Sequence, residues 1–290
     1  MRLKSLLLTP LLTLLSVLMA AGVWQFLATG AAGWAGVAIA AAPLPLFVGV
    51  LMLTSAVART SANLPLPLAI SVAGALAAIA LPGGTLPAFL AIAAAAAHIW
   101  YVFVYSRFGR QPSKTLRLGA MLPDFTLTDE HGNDIGSAAF RDAPALFLFF
   151  RGNWCPLCMA QIREVADDYK RLAAQGVEVV LVSPQPEAQT AKLAAKFDVP
   201  FRFLTDKDLK AATALDIAAI GGTPVGIDAM GYGEDTVMPT VIATDRSGRI
   251  IFLDQTDNYR VRPEPETFLA IFEGKPLSKS APAIPLAAGA

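Results

Sequence analysis

Cys155 and Cys158 are the only thiols in the chain, and Pro156 and Leu157 separate them. A pair at this spacing, set directly after an apolar run, reads as redox or catalytic chemistry rather than as a structural staple. Cys155 falls at or just before an expected helix start, where free backbone N–H groups and the helix dipole favour a thiolate; Pro156 at the first helical position gives up no needed donor. On those grounds Cys155 is the more nucleophilic. Cys158, one turn on, lies within disulfide reach and can displace a partner from Cys155 or close an internal disulfide. A zinc site needs about four ligands, whereas the chain offers two cysteines and two histidines, His98 and His131. No metal is expected. Met159 follows the second cysteine where c-type haem attachment requires His, so no cofactor beyond the Cys155–Cys158 pair is expected. Two inert thiols packed as small hydrophobes remain the bland alternative.

The elements around the pair are those of an alternating α/β domain. Ala145 to Phe150 is an unbroken apolar run of the kind shown by a strand buried on both faces. Beyond the cysteines, Ile162, Val165, Tyr169 and Leu172 recur at helical spacing until Gly176. Val177 to Val182 gives a second buried strand, Glu187 to Phe197 a second helix, and Phe201 to Leu204 a short strand. Strand, helix and strand in that order predict a parallel pair with a right-handed crossover. Upstream, Phe125 to Thr128 and the turn His131-Gly132-Asn133-Asp134 predict a hairpin, which leaves His131 without a role. Downstream come a short helix over Lys207 to Leu215, a Gly-rich loop over Gly221 to Gly233, a hairpin about Asp245-Arg246-Ser247-Gly248, and a closing helix over Glu264 to Phe272.

The remainder of the chain answers to a different solvent. Of 290 residues 54% are hydrophobic and 16% charged, yet residues 1–106 carry only Arg2, Lys4 and Arg59, with no Asp or Glu. Zero net charge and the absence of a basic cluster give nucleic acid nothing to bind. A bilayer crossing takes about 20 apolar residues, and four stretches approach that length: 6–28, 34–57, 64–81 and 86–105. The third is short and begins at Pro65 and Pro67. Four crossings put Arg2, Lys4, Arg59, Arg107, Arg110, Lys114 and Arg117 on one side, which the positive-inside rule makes the cytoplasm. A cleaved signal peptide over Met1 to Ala21 is the competing reading; the apolar stretch runs on to Ala28, too long for one. His98 sits beside Trp100 and Tyr101, as in an interfacial belt. The chain therefore divides into a helical membrane domain at 1–106, a basic juxtamembrane linker at 107–116, an α/β domain at 117–274 and a flexible Pro/Ala-rich tail at 275–290.

Gly119, Pro123-Asp124-Phe125-Thr126-Leu127, Asp129 and Gly132 resemble the opening of the peroxiredoxin family (alkyl hydroperoxide reductase C/thiol-specific antioxidant), a branch of the thioredoxin fold. Phe150 to Cys158 is similar to the active-site loop of peroxiredoxin-like proteins and of membrane-tethered thioredoxin-like reductases. Met238-Pro239-Thr240 resembles the proline turn that faces the cysteines in that fold, which implies a cis peptide before Pro239. The likeness spans about residues 117–273. It implies a thioredoxin-fold domain whose Cys155–Cys158 pair cycles between dithiol and disulfide, and with the hydropathy reading the expected architecture is a membrane bundle of about four spans followed by that α/β domain. The implied partners are a peroxide or disulfide substrate and an external dithiol reductant such as a thioredoxin-like protein, to which the apolar spans add the lipid bilayer. Aligned to peroxiredoxins, Cys158 takes the peroxidatic place and Cys155 the place of a threonine; thioredoxin logic nominates Cys155 for the first attack instead. An arginine near a thiolate steadies its charge and orients a peroxide, a role that falls to Arg151 with Arg262 behind it. Trp154, Pro156 and Pro239 would wall the substrate site. Three activities are therefore expected: peroxide reduction, thiol–disulfide exchange with protein disulfides, or a non-catalytic membrane assembly factor.

Overall fold

The computed structural model describes residues 2–276, so residues 277–290 of the expected tail lie outside the described residues. The chain divides into two compact units: Leu3–Ser55 with Thr60–Arg107, and Phe108 onward together with Arg2 and Ala56–Arg59.

The helical unit holds α1 (Arg2–Thr29), α2 (Ala32–Ala41), α3 (Pro43–Thr54), α4 (Pro65–Ala80) and α5 (Thr85–Trp100), with a π-helical turn over Tyr101–Tyr105. Among the described residues, α1 and the 21 residues from Thr85 to Tyr105 are each long and apolar enough to cross a membrane. The α2–α3 pair, bent by 40°, makes a third if it counts as one span. The four straight spans expected from hydropathy thus reduce to two or three. Two causes are visible. Pro43 and Pro45 remove backbone donors where the second span should be continuous. The third stretch yields only the 16 residues of α4, which at 1.5 Å per residue fall short of a ~30 Å hydrocarbon core.

Small residues let these helices touch. A Cβ added at Gly36 would lie 2.5 Å from the Ala78 nitrogen, and one at Gly22 would lie 2.7 Å from the Ala38 nitrogen. The Ser71 hydroxyl, fully buried, donates to the Ala40 carbonyl at 2.7 Å. His98, expected at an interface, is instead buried on the face of α5 shared with Ala91, Ala94 and Ala95, because it follows them at helical spacing.

The α/β unit is built on β1 (Thr126–Thr128), β2 (Asp134–Gly136), β3 (Ala145–Phe149), α6 (Pro156–Asp167), α7 (Tyr169–Ala174), β4 (Glu178–Ser183), α8 (Glu187–Ala194), β5 (Arg202–Thr205), α9 (Lys210–Ala214), β6 (Ala218–Ala219), β7 (Thr236–Val237), β8 (Thr240–Thr244), β9 (Ile250–Asp254) and α10 (Pro265–Phe272). Seven strands form one sheet in the order β2-β1-β5-β4-β3-β8-β9. β3, β4 and β5 run parallel, and β8 returns antiparallel to β3 with Phe149 opposite Thr240. This is a mixed, thioredoxin-like α/β domain. Every residue of β3 and β8 is buried, as the unbroken apolar run predicts. On one sheet face Phe147 meets Phe125 and Phe140 edge-on, with ring centroids 6.1 and 5.2 Å apart.

Two features depart from the sequence pattern. The basic segment expected to be a linker is hydrogen-bonded to the α/β unit: Arg110 donates its backbone N–H to the Asp257 carboxylate at 2.7 Å, and Ser113 Oγ donates to the Leu215 carbonyl at 2.7 Å. The Gly-rich loop is flanked by a separate two-stranded ladder, β6 with β7, that no local pattern announces.

Candidate active site

The site forms where β3 ends. The chain leaves the sheet at Phe150, whose N–H still donates to the Val182 carbonyl at 2.9 Å, and reaches α6 within six residues. Gly152 turns the corner at φ 147°, a left-handed value that an L side chain rarely adopts; an added Cβ would meet the Trp154 indole nitrogen at 2.7 Å. Asn153 fixes the loop from the far side, donating its backbone N–H to Gln185 Oε1 at 2.9 Å and its Nδ2 to the Gln189 carbonyl at 2.7 Å.

Cys155 is the N-cap of α6 and Pro156 its first residue, as the spacing requires. The Cys155 sulfur accepts the backbone N–H of Cys158 at 3.4 Å, a donor that a helix start leaves otherwise unused. Cys155 and Cys158 are joined as a disulfide with Cα atoms 5.3 Å apart. Both are buried, at 3% and 1% exposure, and Leu157, Cys158, Gln161, Ile162 and Val165 share the inward face of α6.

Arg262 stands over the pair. Its Nη2 lies 3.3 Å from the Cys158 sulfur and 3.8 Å from the Cys155 sulfur, while Nη1 donates to Gln161 Oε1 at 2.8 Å and Nε to the Tyr259 carbonyl at 3.2 Å. Burial, with neighbouring Arg151 adding to it, lowers its pKa to about 10, so the guanidinium keeps its charge at neutral pH. Arg151, the first candidate for this role, does different work. Its guanidinium donates to the Gly222 carbonyl and stacks on the Trp154 ring, 4.6 Å from the centroid, with Tyr259 at 6.0 Å. Trp154 itself is half-buried.

Pro239 is brought beside the site by the β3–β8 register, since Phe149 at the end of β3 opposes Thr240. Its peptide is trans, and among the described residues no peptide bond is cis, contrary to the resemblance. Met238 donates its N–H to the Ile217 carbonyl at 2.9 Å and so ends the β6–β7 ladder, and Thr240 then enters the main sheet. Arg110 clamps the joint, donating to the Pro239 carbonyl at 3.0 Å and to Thr240 Oγ1 at 2.9 Å.

Beside Arg262, the residues Gln161, Pro239, Asp254, Asn258 and Tyr259 help to line a cavity of about 10 Å³, room for about one water. Gln161 Nε2 is buried there with no hydrogen-bond partner among the described residues. Asp254 is part-exposed as a residue, yet its carboxyl faces inward; burial raises its pKa, against which the Thr256 hydrogen bonds and Arg110 and Arg262 act. Gln161 left one sequence signal, a polar residue on the apolar face of α6. Asp254 left none, being one polar residue at the end of an apolar strand. His131 lies in the β1–β2 turn, its side chain exposed and 3.6 Å from Glu130. Among the described residues no cluster of metal-ligating side chains forms.

Residues 118–252 match the AhpC/TSA family. "Peroxiredoxin Q, chloroplastic" of Triticum aestivum is 29% identical over 92 residues, 32% of this chain and 42% of the relative. "Peroxiredoxin Bcp" of Bacillus subtilis (strain 168) is 24% identical over 137 residues, covering 47% of this chain and 83% of that protein. "Thiol-disulfide oxidoreductase ResA" of Geobacillus kaustophilus (strain HTA426) is 26% identical over 143 residues, covering 49% and 80%. The chain thus spans less than half the length of the wheat and rice relatives it matches.

Proposed function

We propose that this chain is a membrane-tethered thiol peroxidase in which Cys155 and Cys158 cycle between dithiol and disulfide. The observation that carries the reading is the guanidinium of Arg262 within hydrogen-bonding reach of both sulfurs, inside a segment that matches the AhpC/TSA family. One thiolate attacks the terminal oxygen of ROOH; the O–O bond breaks, ROH leaves with a proton, and the cysteine becomes a sulfenic acid. The second thiol condenses with it, forming the Cys155–Cys158 bond and releasing water. An external dithiol then attacks the disulfide and leaves as its own disulfide, which restores the pair. Each sulfur has its own stabilising donor: the helix N-terminus serves Cys155, and Arg262 lies nearer Cys158. Single-cysteine variants assign the first attack, because only the attacking residue is trapped as a sulfenic acid by a dimedone-type reagent after one equivalent of peroxide.

A second reading, exchange with protein disulfides, is favoured by Trp154-Cys155-Pro156-Leu157-Cys158 with its N-cap cysteine, and by the likeness to a thiol–disulfide oxidoreductase. Purified full-length chain in detergent, assayed for hydrogen peroxide turnover and for insulin disulfide reduction, separates the two. Inertness toward peroxide with rapid insulin reduction would sink the first. If Cys155→Ser with Cys158→Ser left the cellular function intact, a binding-only role would replace both.

The helical region supplies the membrane anchor. Charge asymmetry supports a plasma-membrane, cytoplasm-facing arrangement, which requires an even number of crossings. Labelling of reduced Cys155 by a membrane-impermeant thiol reagent in intact cells would overturn it.

A further inference from the structure

The loop between β6 and β7, Ile220 to Asp235, is tied to the cysteine loop at two points. The Arg151 guanidinium donates to the Gly222 carbonyl, and the Thr236 hydroxyl donates to the Arg151 carbonyl at 2.9 Å. Its own root is closed by Gly221 N–H on the Asp235 carboxylate at 2.6 Å and Thr223 N–H on the Glu234 carbonyl at 3.0 Å. Gly222 is packed so that a Cβ would meet the Ala219 carbonyl at 2.8 Å and the Thr236 methyl at 3.0 Å. Arg151 is therefore occupied as a clasp, and its stacking on Trp154 fixes that clasp to the residue preceding Cys155.

The ladder at the root of the loop covers the segment that precedes Pro239. A polypeptide presented in extended form binds by pairing its backbone with an unpaired strand edge. Here Ala218 pairs with Val237, Ala219 pairs with Thr236, and the Met238 N–H is taken by Ile217. Thr236, Val237 and Met238 are all buried. The chain's own residues thus hold the backbone groups of the segment that leads into Pro239.

We infer that the segment Ala218–Asp235 is a specificity strap that fills the polypeptide-pairing edge beside Pro239 and restricts the Cys155–Cys158 pair to low-molecular-mass oxidants, hydroperoxides and small disulfides. The inference rests on the thiol chemistry proposed above and narrows its substrate class. The strap acts through steric occupancy; its residues take no part in bond making.

The experiment compares thiol–disulfide exchange rates of the reduced full-length chain with a small aromatic disulfide and with insulin, so it does not depend on peroxide turnover. The wild type is expected to prefer the small disulfide. Replacing Ala218–Asp235 with Gly-Ser-Gly-Ser, which removes the ladder partners of Thr236 and Val237, raises the insulin rate by about tenfold or more, as release of several paired backbone groups implies. The small-disulfide rate stays within about twofold. Should that replacement fail to fold, Thr236→Val, which removes one of the two ties to Arg151 and keeps the shape, is expected to raise the insulin rate about threefold. A wild type that reduces insulin as fast as the small disulfide, or a folded variant with no gain, overturns the strap. Absence of peroxide turnover with the size preference intact would instead remove the peroxidase reading and leave the strap standing.

Discussion

The two units bury polar matter in opposite ways. Within the helical unit the closest approaches are made by residues with almost no side chain, Gly22, Gly36 and Ala78 among them, and the buried polar groups there are Ser5, Ser71, His98 and Ser106. The α/β unit buries Arg151, Arg260 and Arg262 outright. The first arrangement suits surroundings that offer little hydrophobic gain from helix association, so contact area must come from backbone approach. The second suits the thiol cycling proposed above, in which a buried guanidinium, that of Arg262, lies within reach of both sulfurs and would lower the cost of a buried thiolate.

Each side of this contrast can be broken separately. The largest effect is expected at the sulfurs: Cys155→Ser and Cys158→Ser each lower peroxide turnover by on the order of 10³-fold, as loss of a reacting group does, measured as peroxide consumption with a dithiol donor. Next comes the helical unit. Gly36→Leu places a side chain against the Ala78 backbone and is expected to cost about 3 kcal/mol, the upper end for overpacking. Thermal unfolding of helical ellipticity in detergent reads that loss, with thiol exchange at room temperature unchanged; a fall in exchange rate would show that the two units do not behave independently.

Arg262→Met is expected to raise the pKa of the reactive thiol by about 1–2 units, the equivalent of a lost charge-assisted hydrogen bond. Iodoacetamide alkylation rate against pH measures it, and Arg262→Lys restores part of the shift. An unchanged alkylation profile would leave Arg262 a packing residue only.

The smallest effect concerns Asp254. Its folded-state pKa is raised by burial, so the folded chain holds this proton to higher pH than the unfolded chain does. The stability it contributes is complete below the ordinary Asp value of about 4 and is lost as pH rises through the raised native value. Asp254→Asn mimics the protonated form. Its stability relative to wild type should therefore improve on going from acid to neutral pH, read by denaturant midpoints; a constant difference would contradict the shift.

The primary structure announced the cysteine pair, the helix start beside it, the buried strand before it and the charge-poor N-terminal helices, because each depends on residues adjacent in the chain or spaced by one turn. Cys155 as N-cap with Pro156 following is local geometry, and so is the alternation of β3, α6 and β4. Hydropathy also marked the apolar stretches, though it does not register where Pro43 bends a helix or where α4 becomes too short. Tertiary structure alone decided which arginine meets the sulfurs. Arg151 is four residues from Cys155 and Arg262 more than a hundred, yet the loop after β9 delivers Arg262 while Arg151 turns to Gly222. The β6–β7 ladder, the trans peptide at Pro239 and the inward carboxyl of Asp254 belong with it. Each is fixed by partners remote in sequence, and a pattern of nearest neighbours carries no record of a contact that only chain closure creates.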